Sequence, residues 1–116
     1  MKAGTLVRLA AVSGAVAIMA GAFGAHDATG KPAEWLRTGG EYQLLHAVAT
    51  IVAVQLGTRW PAALLLAGSA LFAGTLYAMA LGGPHWLGAI TPVGGLAMIA
   101  GWLLLAWRTA VPDKEI

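Results

Sequence analysis

The sequence predicts an all-α integral membrane protein, a single-domain antiparallel bundle of four helices with a short amphipathic helix in its first loop. Three observations carry this. The 116 residues are 59% hydrophobic and only 10% charged, against about a quarter charged in water-soluble domains. The seven Lys and Arg and five Asp and Glu avoid four long apolar stretches or sit at their edges. None of the stretches alternates polar and apolar residues as a membrane barrel strand does, and four strands could not close a barrel.

The first stretch, 6–25, has Arg8 as its sole charge and reaches roughly 30 Å as a helix, the hydrocarbon thickness. A cleaved leader over 1–25 is the weaker reading. The apolar run exceeds the 7 to 15 residues of a leader core, roughly, and Phe23 stands where a cleavage site wants a small side chain. The helix is therefore expected to be retained.

The first loop, 26–41, contains Lys31-Pro-Ala-Glu-Trp-Leu-Arg-Thr38, which predicts two helical turns stopped by Gly39-Gly40. Trp35 and Leu36 would then rest among headgroups. The second span, 42–57, is short at about 24 Å and needs snorkelling flanks or local thinning. The third, 61–81, opens with Pro61 in the first turn, where the missing N–H is harmless, and covers about 31 Å. The fourth, 91–107, opens with Thr91-Pro92, read as a cap and a first-turn proline, and runs about 25 Å before Arg108. Residues 108–116 form a cytoplasmic tail.

Charge placement sets the expected orientation. With four spans, Lys2, Arg8, Arg59, Arg108 and Lys114 share one side, opposite Lys31 and Arg37. Basic residues are retained on the cytoplasmic flank, so both termini are expected in the cytoplasm of a multi-pass inner-membrane protein. Trp60 and Trp107 would mark the inner boundary, Trp35 and Trp86 the outer one.

Composition also excludes. With no cysteine, disulfides, thiol nucleophiles and thiolate metal sites are ruled out. Net charge is +2, with no basic run or stripe interleaved with aromatics, so no nucleic-acid partner is expected. Ser13 and Ser69 are the only serines, and both lie far along the spans from the histidines, so no nucleophile and base pair arises. The spans also lack the deep carboxylate or basic relay of a proton-coupled transporter.

Small residues recur at every fourth position: Ser13, Ala17, Gly21 and Ala25; Ala49, Ala53 and Gly57; Ala70, Gly74, Ala78 and Gly82; and, more weakly, Ala97 and Gly101. Such stripes let backbones approach where lipid supplies no hydrophobic drive. Packing inside the bundle is the first expectation, association between subunits the second.

The chemistry-bearing residues are Tyr42, Gln43, His46 and Thr50 on the second helix and His26 at the end of the first. Tyr42, His46 and Thr50 share a face, and His46 is expected about one turn, roughly 6 Å, inside the outer boundary, where His26 can meet it. The first reading is a cluster of mutually satisfied polar groups that fixes how the helices pack, at about 0.6 to 2 kcal/mol per bond. The alternative is a haem, metal or small-ligand site through His26 and His46. His85 lies on the same side, but the spacing of the three histidines is no metal motif, and no metal site is assigned.

Gly21-Ala-Phe-Gly-Ala-His26, Tyr42-Gln-Leu-Leu-His-Ala47, Phe72-Ala-Gly-Thr-Leu-Tyr-Ala-Met-Ala-Leu-Gly82, Leu87-Gly-Ala-Ile-Thr-Pro-Val-Gly-Gly95 and Gly101-Trp102 resemble the YgdD-like family. These are the domain of unknown function 423 proteins, to which eukaryotic transmembrane protein 256 is related. The resemblance implies a four-span inner-membrane protein without an established biochemical role. It marks His26, Tyr42, Gln43, His46, Thr91 and Pro92 as pattern positions. With the stripes, it yields a helix-packing set of Gly21, Gly24, Gly74, Ala78, Gly94, Gly95 and Gly101. Glu41 stands where a basic residue is more usual, the first loop is shorter, and His85 lies outside the pattern.

The sequence thus predicts a non-enzymatic protein without a cofactor, surrounded by the lipid bilayer and serving as an accessory or interaction subunit to a membrane-protein partner or in a homo-oligomer. The haem, metal or ligand-binding bundle is the runner-up, and an oligomeric channel or transporter the third reading.

Overall fold

The computed structural model describes residues 1–109 and 111–114, and no β-strand occurs among them. Four helices follow in order: α1 (Ala3–His26), α2 (Gly30–Gln55), α3 (Trp60–Ala80) and α4 (Thr91–Arg108), with a 3-10 turn at His85–Ala89 before α4. Gly30, Gly57 and Gly82, with φ of 65°, 83° and 100°, turn the chain between helices in a conformation other residues rarely adopt. Of the tail expected over 108–116, residues 110, 115 and 116 lie outside the described residues.

Among the described residues, three segments are long and apolar enough to cross a membrane: Ala3–His26, Trp60–Ala80 and His85–Arg108. α2 differs because its first half carries Lys31, Glu34, Arg37 and Glu41, all outside the buried set. These charges pair within the helix, Lys31 with Glu34 at 3.6 Å and Arg37 with Glu41 at 3.5 Å.

The largest departure from the sequence reading is in α2. No separate short helix exists at 31–38, and Gly39-Gly40 does not stop it; one helix runs from Gly30 through Gln55. The two glycines are notches for neighbouring helices. A methyl group at Gly39 would lie 2.7 Å from the Tyr77 ring, and one at Gly40 would lie 3.0 Å from the Ala17 carbonyl oxygen. Glycine costs a helix about 1 kcal/mol relative to alanine, which close packing offsets. Leu36, expected among headgroups, is buried against Gly24 of α1. The link between α1 and α2 is therefore short, and α2 begins twelve residues before the expected start of the second span at 42.

Neighbouring helices pack in chain order. Gly24 meets Leu36, Ala17 and Gly21 meet Gly40, and Gly14 meets Ala47. Partner numbers fall along α1 as they rise along α2, so the pair is antiparallel. α3 and α4 follow the same rule, with Gly94 on Phe72, Met98 on Gly68 and Gly101 on Leu65. Leu6 and Ala10 of α1, Ala49 and Ala53 of α2, and Ala62, Leu65 and Leu66 of α3 form the apolar core at the end where α2 turns into α3.

The seam on α3 is not the expected one. Ala70 and Gly74 are exposed, and a methyl group at Gly74 would touch nothing within 4 Å. Leu65, Gly68, Phe72 and Thr75 face α4 instead. A strict four-residue repeat drifts about 40° per step around a helix of 3.6 residues per turn, so only mixed steps of three and four stay on one face. Gly24 replaces Ala25 on α1 for the same reason, and Gly95 has nothing within 4 Å of its added methyl.

The tightest crossing is Gly94 against α3, where an added methyl would lie 2.6 Å from the Phe72 backbone nitrogen and 2.7 Å from the Gly68 oxygen. Backbone cannot swing aside as a side chain can. Gly94→Ala should lower unfolding free energy by about 1–3 kcal/mol, whereas Gly74→Ala should leave it unchanged or raise it by up to about 1 kcal/mol. Tryptophan fluorescence during SDS titration of the purified protein measures both.

Candidate functional site

The polar side chains of the interior form three short relays, each tying one helix to another. In the first, Gln43 of α2 donates from Nε2 to Ser13 Oγ of α1 at 2.9 Å. Its Oε1 accepts from the Tyr77 hydroxyl of α3 at 2.6 Å. One amide, two-headed by nature, therefore joins three helices.

The second relay centres on His46, which is 3% exposed. Trp102 of α4 donates from Nε1 to His46 Nε2 at 3.0 Å, and His46 Nδ1 lies 2.7 Å from the Tyr42 carbonyl oxygen. An indole N–H can only donate, so Nε2 must accept, and the proton sits on Nδ1 and points at the carbonyl. The imidazole is thus the neutral Nδ1–H tautomer with both nitrogens engaged. Tyr42 stacks on His46 at 6.2 Å between centroids and packs on Phe72 at 4.9 Å. Thr50 Oγ1 returns a bond to the His46 carbonyl at 2.7 Å.

The third relay pairs Thr75 of α3 with Thr91, their hydroxyl oxygens 2.6 Å apart. Thr91 is the first residue of α4 and does not cap it; Ile90 holds the cap position, and Thr91 Oγ1 lies 3.2 Å from the Leu87 carbonyl oxygen. Pro92 sits in the first turn. No buried side-chain nitrogen or oxygen among the described residues lacks a partner.

The structure separates what the sequence reading placed together. Because α2 starts at Gly30, His46 lies sixteen residues, roughly 24 Å, along it and is buried between the helices. His26 is exposed at the end of α1. It stands thirteen residues, about 20 Å of rise, beyond Ser13, the residue opposite Gln43. His26 and His46 therefore share no site. His85 meets the Trp35 ring edge-on at 5.6 Å. The described residues contain no group of three or more His, Asp or Glu arranged to hold a metal. Tyr42, Gln43 and His46 do act in one region, while Thr91 and Pro92 stand at the start of α4, where Thr91 meets Thr75.

Two participants were not singled out in the sequence: Tyr77 and Trp102. Their signal was present in general form, because a phenol or indole inside an apolar span needs a polar partner. Which partner depends on how the helices face each other. Gly39, Gly40 and Gly68 were missed likewise.

Chemically, the arrangement is inward-looking. The hydroxyls of Thr50, Thr58, Ser69 and Thr75 bond to carbonyls of their own chain segments. Beside His46 lies a largely apolar cleft of about 450 Å³, lined by Tyr42, Leu45, Phe72, Met98 and Ile99 among others.

The fold and this interior define a small helical membrane protein whose helices are joined by internal polar relays. The domain model described as a protein of unknown function (DUF423) matches residues 20–95. Similar proteins include the UPF0382 inner membrane protein YgdD of Escherichia coli (strain K12), 39% identical over 107 residues, covering 83% of this chain and 82% of that protein. The UPF0382 membrane protein SH2409 of Staphylococcus haemolyticus (strain JCSC1435) is 37% identical over 111 residues, covering 87% and 91%. The UPF0382 membrane protein YwdK of Bacillus subtilis (strain 168) is 36% identical over 112 residues, covering 84% and 89%. The chain belongs to this DUF423 (UPF0382) family of membrane proteins. No solved structure matches it significantly.

Two measurements check the relays. In ¹⁵N-histidine spectra, His46 should show a protonated Nδ1 and a bare Nε2, and the opposite tautomer would refute the Trp102 bond. Ser13→Ala and Tyr77→Phe should each cost about 0.6–1.7 kcal/mol, and the double variant should cost less than their sum, since both act through Gln43.

Proposed function

We propose that this protein crosses the cytoplasmic membrane four times with both termini in the cytoplasm. It serves there as a non-enzymatic accessory or interaction subunit, in contact with a second membrane protein or another copy of itself. The observation that carries the reading is the self-satisfied interior. Among the described residues its buried polar ones are Ser13, Gln43, His46, Thr50, Thr58, Ser69, Thr75 and Thr91, with no Lys, Arg, Asp or Glu. Ser13, Gln43, His46, Thr75 and Thr91 are engaged in bonds between helices, and Thr50, Thr58 and Ser69 in bonds to carbonyls of their own segments, which suits packing better than catalysis or proton relay. The binding potential lies outside: Ile18 and Met19 on α1 and Leu96, Ile99 and Leu103 on α4 are exposed.

The length of α2 supports a fourth crossing. Its 26 residues give about 39 Å, more than the hydrocarbon thickness, and its charges are confined to the first half. The antiparallel register of α1 with α2 and of α3 with α4 supports an even number of crossings. Lys2, Arg8, Arg59 and Arg108 gather at one end, while Lys31 and Arg37 at the other are paired with glutamates, which favours cytoplasmic termini. The haem and metal alternative is weakened, because a ligand at His46 Nε2 would have to displace Trp102.

A fluorescent-protein fusion at the C-terminus should glow and an alkaline phosphatase fusion there should be inactive; the reverse pattern refutes the orientation. Purification from native membranes in mild detergent should yield a complex larger than the monomer. A homogeneous monomer with nothing accompanying it would refute the subunit role.

A further inference from the structure

At the end where α1 and α3 begin and α4 ends, Lys2, Arg8, Arg59 and Arg108 stand without an ion pair among the described residues; the two pairs present, Lys31–Glu34 and Arg37–Glu41, are at the opposite end. Lys2 and Arg59 line one depression of about 270 Å³, together with Thr58 of the α2–α3 turn. Arg59 also borders a smaller one of about 120 Å³, shared with Trp60 and Arg108.

Met1 and Leu6 line the first depression and also a longer trough of about 460 Å³ between α1 and α3. Leu9, Val12 and Val16 wall it on one side and Ala63, Ala67 and Ala70 on the other. The small alanines of α3, left outside the α3–α4 seam, make the depth. From Leu6 to Val16 the trough follows about 15 Å of helix rise, half the roughly 30 Å hydrocarbon core and hence one leaflet. It ends near Ser13 and Gln43, which are bonded to each other.

A cationic mouth opening onto an apolar trough one leaflet long has the shape and charge of an amphiphile with an anionic head. We propose that this site holds one anionic glycerophospholipid of the surrounding bilayer, its phosphate between Lys2 and Arg59 and one acyl chain between α1 and α3. A zwitterionic head fits less well, because its ammonium would face the same uncompensated cations. The inference goes beyond the accessory role and rests only on the chain lying in a bilayer.

Native mass spectrometry of the full chain, released from detergent with added palmitoyl-oleoyl phosphatidylglycerol or phosphatidylcholine, tests it. Wild type should retain phosphatidylglycerol in preference. Lys2→Gln/Arg59→Gln should weaken that retention on the order of thirtyfold, given about 1 kcal/mol per cation near an anionic headgroup. Lys31→Gln/Arg37→Gln should leave it unchanged. Ala67→Phe, which fills the trough from an exposed position, should weaken it with all cations in place, and excess glycerol phosphate should not compete. Equal retention of both lipids, indifference to the Lys2/Arg59 change in a variant of unchanged helical circular dichroism, competition by glycerol phosphate, or a second copy of the chain in place of the lipid would each overturn the site. Flotation with phosphatidylcholine vesicles separates the two readings. A protein that floats without discriminating between lipids lacks the site, whereas one that does not float refutes the membrane reading itself.

Discussion

Between these helices no solvent can accept a hydrogen bond that the protein leaves unmade. In water, an unpaired amide or hydroxyl loses little; in hydrocarbon it costs several kcal/mol. That constraint explains why Gln43 sits where two other helices offer a hydroxyl, why His46 spends both ring nitrogens, and why Thr75 and Thr91 face each other. Each bond contributes modestly, about 0.6 to 2 kcal/mol. Their greater effect is on specificity, because a helix rotated or slipped by one turn would leave Gln43, Tyr77 and Trp102 with no partners.

Such short bonds require close backbones, and here the glycines enter. Lipid tails are as apolar as leucine, so association rests on contact between well-fitted surfaces. Gly40 admits the α1 backbone, Gly39 the Tyr77 ring, and Gly68 and Gly94 bring α3 and α4 together. Notches and relays are interdependent: the Tyr77 ring that fills the Gly39 notch carries the hydroxyl that reaches Gln43.

Charge is handled at the ends, differently at each. Along the first half of α2, cations and carboxylates alternate at helical spacing and neutralise one another, so the helix remains regular beyond the apolar segment. At the other end the cations stand without carboxylate partners among the described residues, beside the apolar trough between α1 and α3, where an anionic bilayer component supplies the missing charge.

Membrane residence, the all-helical class and the positions of α1, α3 and α4 were determined by the sequence, because hydrocarbon demands long apolar helices and the chain displays them as uninterrupted runs. Tyr42, Gln43 and His46 were legible as a polar cluster for the same reason, being rare groups in an apolar setting. The start of α2 was not: Gly39-Gly40 has the composition of a helix stop, and only Tyr77 and Ala17 lying against it show that the same residues serve as a packing notch. Nor could periodicity separate Gly68 and Gly94, which touch another helix, from Gly74 and Gly95, whose added methyls would meet nothing. It joined His26 to His46, which the continuous α2 holds about 20 Å apart in register. A helix fixes which residues share its own face, but which face meets which neighbour depends on side chains far away in the chain, and that only the tertiary structure decided.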